Sequence, residues 1–235
     1  MKAKHQRQQT IIDARRALVL DAARAVVAEV GMEGANIRDI AKRAGYTPGA
    51  IYSYFDSKEA IFGALLAESL ERLNIAVGQA RVVRNKPEKT LLAKSLAWFG
   101  FYANNPRDLD LGFYLLQGLR PRASTNESNS PVAPRLEIIR FTERLLDAAL
   151  PGKTALLEMG LSPVQAMRES TALFAHGVGL LLLQRTGGLG TLGQSAEALF
   201  KLYLEQLIAR CGGTMEMLQT EGAEPTSPAQ VSLFE

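Results

Sequence analysis

Two short helices joined by a tight turn are predicted between residues 36 and 55, and this pair constrains the fold more than any other part of the chain. Asn36 can cap the first helix, and Gly45 suits the left-handed position just beyond its end. Thr47 can cap the second helix, with Pro48 at its first position, where a missing N–H costs nothing. The segment therefore has the spacing of two helices that cross at a turn.

The apolar residues of this pair predict how it packs. Ala41 and Ala44 are small enough to let the two helices approach closely. A preceding helix is predicted over about residues 11–30, which carry an apolar stripe of helical period. The residues expected to lock the pair onto that first helix are Ile37, Ile40, Ile51 and Phe55.

The rest of the chain is also predicted to be helical, with little strand-like alternation and no hairpin signal. A loop rich in proline and serine is expected at residues 121–134, and a glycine-rich turn at residues 187–193. The fold class is therefore all-α, with an N-terminal three-helix helix-turn-helix domain and a C-terminal helical domain. The further helices are expected at about residues 57–80, 91–103, 108–119, 135–150, 153–159, 163–186 and 195–210.

Composition excludes several classes of protein. The 235 residues are 47% hydrophobic, which is ample for a packed core. The single cysteine, Cys211, excludes an intramolecular disulfide and a cysteine-rich metal site. The start of the chain leads into no signal-type apolar segment, and the longest apolar run, residues 173–183, is too short to span a bilayer. We expect a cytoplasmic protein without a metal or a cofactor.

The second helix of the pair has the features of a nucleic-acid reader. In a helix-turn-helix this helix enters the major groove, and its first residues meet base edges. Small residues keep its start slim, and tyrosine hydroxyls on either side of a serine can donate to phosphate oxygens. Basic residues nearby agree, although those on the first helix can equally be solvated. The residues concerned are Thr47, Pro48, Gly49, Tyr52, Ser53 and Tyr54, with the basic Lys2, Lys4, Arg7, Arg15, Arg16, Arg38 and Lys58.

Three pieces of this region, IRDIAKRAG, GAIYSYF and SKEAIF, resemble the DNA-binding domain of TetR-type transcriptional regulators. The resemblance covers about residues 10–70. It implies a homodimer on a palindromic operator, with a C-terminal domain that binds a small inducer and dimerises through its last two long helices. Tyr54 stands where the family often has His. By position, the resemblance implies phosphate contacts from Arg38, Thr47, Tyr52, Tyr54 and Lys58, and places Pro48, Gly49 and Ser53 near bases.

With that resemblance the chain divides into four parts. They are a flexible basic arm over residues 1–9, a DNA-binding domain over 10–70 with its motif at 36–55, a ligand-binding and dimerisation domain over 71–211, and a disordered acidic tail over 212–235.

Aromatic residues of the C-terminal domain could line an apolar cavity between helices, so a largely hydrophobic ligand is predicted. The segment FAHGVGLLLL, at residues 174–183, resembles the His-Gly segment of some family subgroups. Its histidine lies on an apolar helix face, where a satisfied core histidine is the more common case. The candidate pocket residues are Trp98, Tyr102, Phe113, Gln117, Arg140, Phe141, Phe174 and His176.

The sequence favours a ligand-responsive DNA-binding regulator, most often a repressor, over two alternatives. One is an α-helical enzyme with an architectural helix-turn-helix. Its closest carboxylate pair is Asp108 and Asp110, which a two-residue spacing places on divergent helix faces. The other is a constitutive DNA-binding protein without an inducer, which a solid C-terminal core would favour.

Overall fold

The structure, a computed structural model, describes residues 2–80, 85–117 and 152–212. The described residues form helices joined by short turns and contain no strand, which confirms the all-α prediction. The helices are α1 (Lys2–Gly34), α2 (Ile37–Ala44), α3 (Pro48–Ile51), α4 (Lys58–Gly78), α5 (Pro87–Asn104), α6 (Pro106–Gln117), α7 (Lys153–Glu158), α8 (Pro163–Arg185), α9 (Gly188–Thr191) and α10 (Ala196–Arg210). The predicted loop at 121–134, the helix at 135–150 and all but the first residue of the predicted tail lie outside the described residues.

Helix α1 is longer than predicted at its N-terminal end. It begins at Lys2, whereas the sequence places its beginning near residue 11, so residues 2–9 are helical. The physical reason is that this stretch is rich in Lys, Gln and Arg, which are good helix formers, and contains no Gly or Pro. The Thr10 hydroxyl also donates to the Gln6 carbonyl at 2.9 Å. Gly31, with φ +74°, kinks the helix where the sequence predicts its end.

The turn between α2 and α3 is built as the sequence predicts. The Asn36 side chain accepts from the backbone N–H of Asp39 at 3.0 Å, which caps α2. Gly45 follows α2 in the left-handed conformation, with φ +73°. Thr47 caps α3 by accepting from the backbone N–H of Ala50 at 3.2 Å. The pair is thus fixed by interactions between residues at most four apart.

Helix α3 is shorter than predicted. Its regular part ends at Ile51, whereas the sequence placed the end near Phe55. The backbone N–H groups of Tyr54 and Phe55 both still donate to the Ile51 carbonyl, at 2.8 and 3.0 Å. The chain therefore leaves α3 through a tightened turn, and Ser57 caps the next helix, α4, by accepting from the N–H of Ala60.

The N-terminal head has one apolar core beneath α2 and α3. Ile40 and Ile51 are fully buried, and Phe55 nearly so. Val19 and Ala23 of α1 are buried in the same apolar cluster, and α1 packs against α2, as the sequence predicts. Ile37, the fourth residue of the predicted set, is only partly buried. We call α1, α2, α3 and the start of α4 the head.

Helix α4 connects the head to the C-terminal helices, which we call the core. It contacts α1 in the head and α5 and α6 in the core. Helix α5 lies centrally, against α4, α7, α8 and α10. Trp98 of α5 packs against Phe174 and Phe200, with ring centroids 5.5 and 6.1 Å away. Within the described ranges, no helix is both long and apolar enough to cross a membrane.

Candidate nucleic-acid interface

The start of α3 and the turn after it present one polar surface, which we call the reading face. It consists of Thr47, Pro48, Gly49, Tyr52 and Ser53, all of them exposed. Tyr52 has 54% of its surface exposed, which is unusual for a large aromatic side chain next to a packed core. The opposite side of the same segment is buried. The reading face therefore points to solvent because Ile51 and Phe55, on the other side of the same segment, are buried in the head.

Tyr54 is half-buried beside the reading face, and α1 determines its position. The Arg15 guanidinium donates to the Tyr54 hydroxyl oxygen at 3.1 Å. This hydrogen bond, more than any other cause, raises the pKa of Arg15, which stays cationic. Since the phenol oxygen accepts from Arg15, its own O–H remains available as a donor. The Tyr54 ring also lies 6.2 Å from the ring of Tyr46.

Arg16 fixes the backbone of the same turn. Its guanidinium donates to the carbonyl oxygen of Tyr54 and lies 4.1 Å from the centre of the Phe55 ring. Sequence reasoning did not assign Arg15 and Arg16 to the turn, because they are 39 and 38 residues away from Tyr54. Only the fold brings them together.

The two remaining cations expected at phosphates differ in their surroundings. Arg38, in the first turn of α2, is exposed and has no ion pair with any described residue. Lys58 is half-buried, and its ammonium lies 5.6 and 5.5 Å from the ring centres of Phe62 and Tyr114. The Arg38 guanidinium is thus accessible to a phosphate, whereas the Lys58 ammonium lies against aromatic rings of α4 and α6.

The candidate pocket residues that the structure describes have different surroundings. Trp98, Tyr102 and Phe174 are in contact within the core, with centroids 5.4 and 5.5 Å from Trp98. Phe113 lines a different cleft, beside α1. His176 stacks on Tyr203 at 4.2 Å, and partial burial lowers its pKa. Gln117 ends α6, and the predicted Arg140 and Phe141 lie outside the described residues.

Asp108 and Asp110, the two carboxylates considered for an enzyme, form ion pairs with different arginines. Asp108 accepts from Arg72 of α4 at 2.9 Å, and Asp110 accepts from Arg185 of α8. This separation agrees with the divergent faces expected from their spacing. In the part of the chain that the structure covers, no three His, Cys, Asp or Glu residues are grouped to hold a metal ion.

Sequence comparison relates the head to known proteins. Residues 19–65 match the family model for bacterial regulatory proteins of the tetR family. The HTH-type transcriptional repressor Rv1474c of Mycobacterium tuberculosis is 42% identical over 60 residues, which are 26% of this chain and 32% of that protein. The HTH-type transcriptional repressor AcnR of Corynebacterium diphtheriae is 36% identical over 74 residues, 32% of this chain and 39% of AcnR. The chain thus spans less than half the length of these relatives.

Comparison of structures extends the likeness to the core. A transcriptional regulator from Rhodococcus sp. Rha1 superposes with a TM-score of 0.61 at 20% identity, over 83% of this chain and 96% of the other. The TetR family regulator PfmR from Thermus thermophilus superposes with a TM-score of 0.54 at 22% identity, over 81% and 97%. At these identities the likeness concerns the fold alone. The head thus matches the N-terminal model of the tetR family of bacterial regulatory proteins, and the chain shares the fold of solved transcriptional regulators.

Proposed function

We propose that this chain is a sequence-specific DNA-binding transcriptional regulator and acts as a repressor. The observation that carries the proposal is the reading face, a slim and polar helix start whose other side is locked into the head by Ile51 and Phe55. A recognition helix needs both properties, because it must enter the major groove without clashes and must hold its register on the base edges. The two relatives of the head described above are named as repressors.

Phosphate contacts would hold the reading face in place. Tyr52 offers an exposed hydroxyl, and Tyr54 offers an O–H that Arg15 leaves free. Arg38 adds a cation without an ion pair among the described residues, in the first turn of α2. Contacts of this type fix the position of the protein on DNA without reading its sequence. Base preference would therefore depend on Pro48, Gly49 and Ser53 of the reading face. Lys58 would add a further phosphate contact once its ammonium moves away from the rings of Phe62 and Tyr114.

A homodimer would present two reading faces to a palindromic operator. The outer side of α8 and α10 supports such a dimer, because Leu182, Leu183 and Leu202 each expose at least 42% of their surface. Two heads would then contact half-sites about one helical turn, roughly 34–36 Å, apart.

A small, largely hydrophobic inducer would release the repressor. Release requires that the inducer bind more tightly to a conformation in which the two heads no longer match the operator spacing. Helix α4 is the element that would transmit this change, since it packs on α1 in the head and on α5 and α6 in the core.

Fluorescence anisotropy with DNA flanking the gene of this protein tests the proposal. Unrelated DNA of equal length is the control, and both are titrated at about 50 and 200 mM salt. We expect the flanking fragment to bind at least ~10³-fold more tightly than the control. Equal, salt-sensitive binding of both fragments would show affinity for phosphate alone, and binding to neither would overturn the regulator assignment.

A further inference from the structure

A cleft of about 420 Å³ lies where the head meets the core. Its walls are α1, α4 and the region where α5 passes into α6. Apolar side chains from three of these helices line it, namely Val27, Leu65 and Leu111. Its volume lies within the range of about 300–1,000 Å³ typical of small-molecule sites. The cleft is therefore large enough for a small organic ligand that would touch the head and the core together.

The lining of this cleft carries an excess of positive charge. Three arginines, Arg24, Arg72 and Arg107, contribute to it, against one carboxylate, Asp108. Arg24 is paired with Glu68, which is not part of the lining. Since Asp108 neutralises only one of the remaining two guanidinium groups, an anion is the complementary guest.

Arg107 is the cation best placed to receive an anion. It is exposed in the first turn of α6 and has no ion pair with any described residue. A cation near a helix N-terminus is unfavourably placed against the helix dipole, and an anion bound beside it would offset that cost. Arg72 donates one N–H group to Asp108 at 2.9 Å, and a guanidinium has five such donors. The two arginines can therefore hold a carboxylate between them.

A second cleft, of about 470 Å³, adjoins the first along α1 and α6. The two share Val27, Met32 and Arg107, and the second adds the ring of Phe113. Its lining also contains Glu33 and Asp110, of which Asp110 is paired with Arg185, so the second cleft offers an anion no cation beyond the shared Arg107. The combined shape has a cationic end at the first cleft and an apolar extension at the second.

We propose that the first cleft is a binding site for a small amphipathic carboxylate. The carboxylate lies at Arg107 and Arg72, and the apolar chain runs over Val27 and Met32 towards Phe113. A guest in this position contacts α1 of the head and α6 of the core, so it biases the angle between them. The binding site stands by itself, whereas its effect on operator spacing rests on the proposed function.

Methyl NMR with octanoate as the probe tests the site without DNA. Methionines labelled with ¹³C at the methyl group give separate signals, and Met32 reports on both clefts. Met159 and Met167 line neither cleft and serve as internal controls. We expect octanoate to shift the Met32 signal saturably and to leave the two controls in place. Octan-1-ol, which has the same chain but no charge, should bind at least about tenfold more weakly.

Two arginine variants separate the charge effect from general damage. Arg107→Gln should weaken octanoate binding about tenfold, because it removes a charged hydrogen-bond donor. Arg168→Gln, at a highly exposed position on α8, is the matched control and should leave binding unchanged.

Three results would overturn this site: no saturable Met32 shift, equal shifts at all methionines, or equal affinities for octanoate and octan-1-ol. Undiminished binding by Arg107→Gln would overturn the assigned anion position. The DNA titration is a separate measurement. If DNA binding fails while Met32 responds to octanoate, the proposed function is wrong and the site stands.

Discussion

Arg15 of α1 donates to the hydroxyl oxygen of Tyr54 at 3.1 Å, across 39 residues of sequence. The next residue, Arg16, donates to the Tyr54 carbonyl and lies over the Phe55 ring. The turn that ends the reading face is therefore held by α1. Helix α1 is thereby part of the proposed DNA-binding apparatus, although it carries no residue of the helix-turn-helix itself.

The Arg15–Tyr54 contact should appear as coupling in DNA affinity. We expect Arg15→Gln and Tyr54→Phe each to weaken operator binding, because each removes the hydrogen bond between the two side chains beside the reading face. The double variant should lose less than the sum, since either change alone breaks the shared contact. Anisotropy titrations of the four proteins measure the coupling. Strict additivity would mean that the two side chains act independently on DNA.

The two exposed hydroxyl residues of the reading face should have different roles. Tyr52→Phe should weaken binding to all DNA sequences alike, by roughly 0.5–1.5 kcal/mol for one lost phosphate hydrogen bond. Ser53→Ala should instead change which bases are preferred. A comparison of affinities over single-base operator variants distinguishes the two effects. A uniform loss for Ser53→Ala would contradict its assignment as a base reader.

Gly177 should be essential to packing in the core. A Cβ atom there would lie 2.6 Å from Trp98 Cζ3 and 2.9 Å from Phe200 Cε2. We expect Gly177→Ala to destabilise the fold by about 1–3 kcal/mol through overpacking. The matched control is Gly100→Ala, in helix α5, where the added atom meets nothing within 4 Å. Thermal unfolding of both variants checks this, and an unchanged melting temperature for Gly177→Ala would refute the steric argument.

Gly45 should resist substitution because of its backbone conformation and not for lack of space. Its φ is +73°, yet an added Cβ would meet nothing within 4 Å. Gly45→Ala should therefore cost about 1–2 kcal/mol of stability. Gly45→Asn should cost less, because Asn tolerates the left-handed region. Unfolding midpoints rank the variants; equal losses would show that conformation is not the cause.

His176 should make stability depend on pH. Burial lowers its pKa from the usual 6.5. The unfolded state therefore binds more protons, and the histidine's penalty appears only as the pH falls below about 6.5. His176→Gln should remove that penalty. The melting temperature of the variant should therefore rise relative to that of the wild type as the pH is lowered from about 7.5 to 5.5. The control is His5→Gln, at an exposed position on α1. A constant difference across this range would exclude His176 as the cause.

Much of the head could be predicted because its signals are local. Asn36 and Thr47 cap their helices, and Gly45 takes the left-handed turn, as expected from short-range patterns. The apolar stripe alone predicts the beginning of α1 too late, near residue 11 instead of Lys2. The helix propensity of residues 2–9, which is also a local property, gives the better prediction.

The candidate pocket was harder to predict because the sequence does not show which aromatic side chains lie close together in the fold. Trp98, Tyr102 and Phe174 share a neighbourhood, while Phe113 lines a cleft beside α1. Composition predicted that such residues would be buried, but it could not tell which would meet. The clefts between head and core gave no sequence signal at all.

The sequence by itself determined the helical class, the caps of α2 and α3, and the turn between them. These features depend on interactions between residues within about four positions of each other, which the order of residues displays directly. Only the tertiary structure decided that Arg15 meets Tyr54, that Lys58 lies over Tyr114, and that Arg107 opens into a cleft beside α1. Such contacts arise when whole helices pack, and packing joins residues whose separation along the chain leaves no periodic trace.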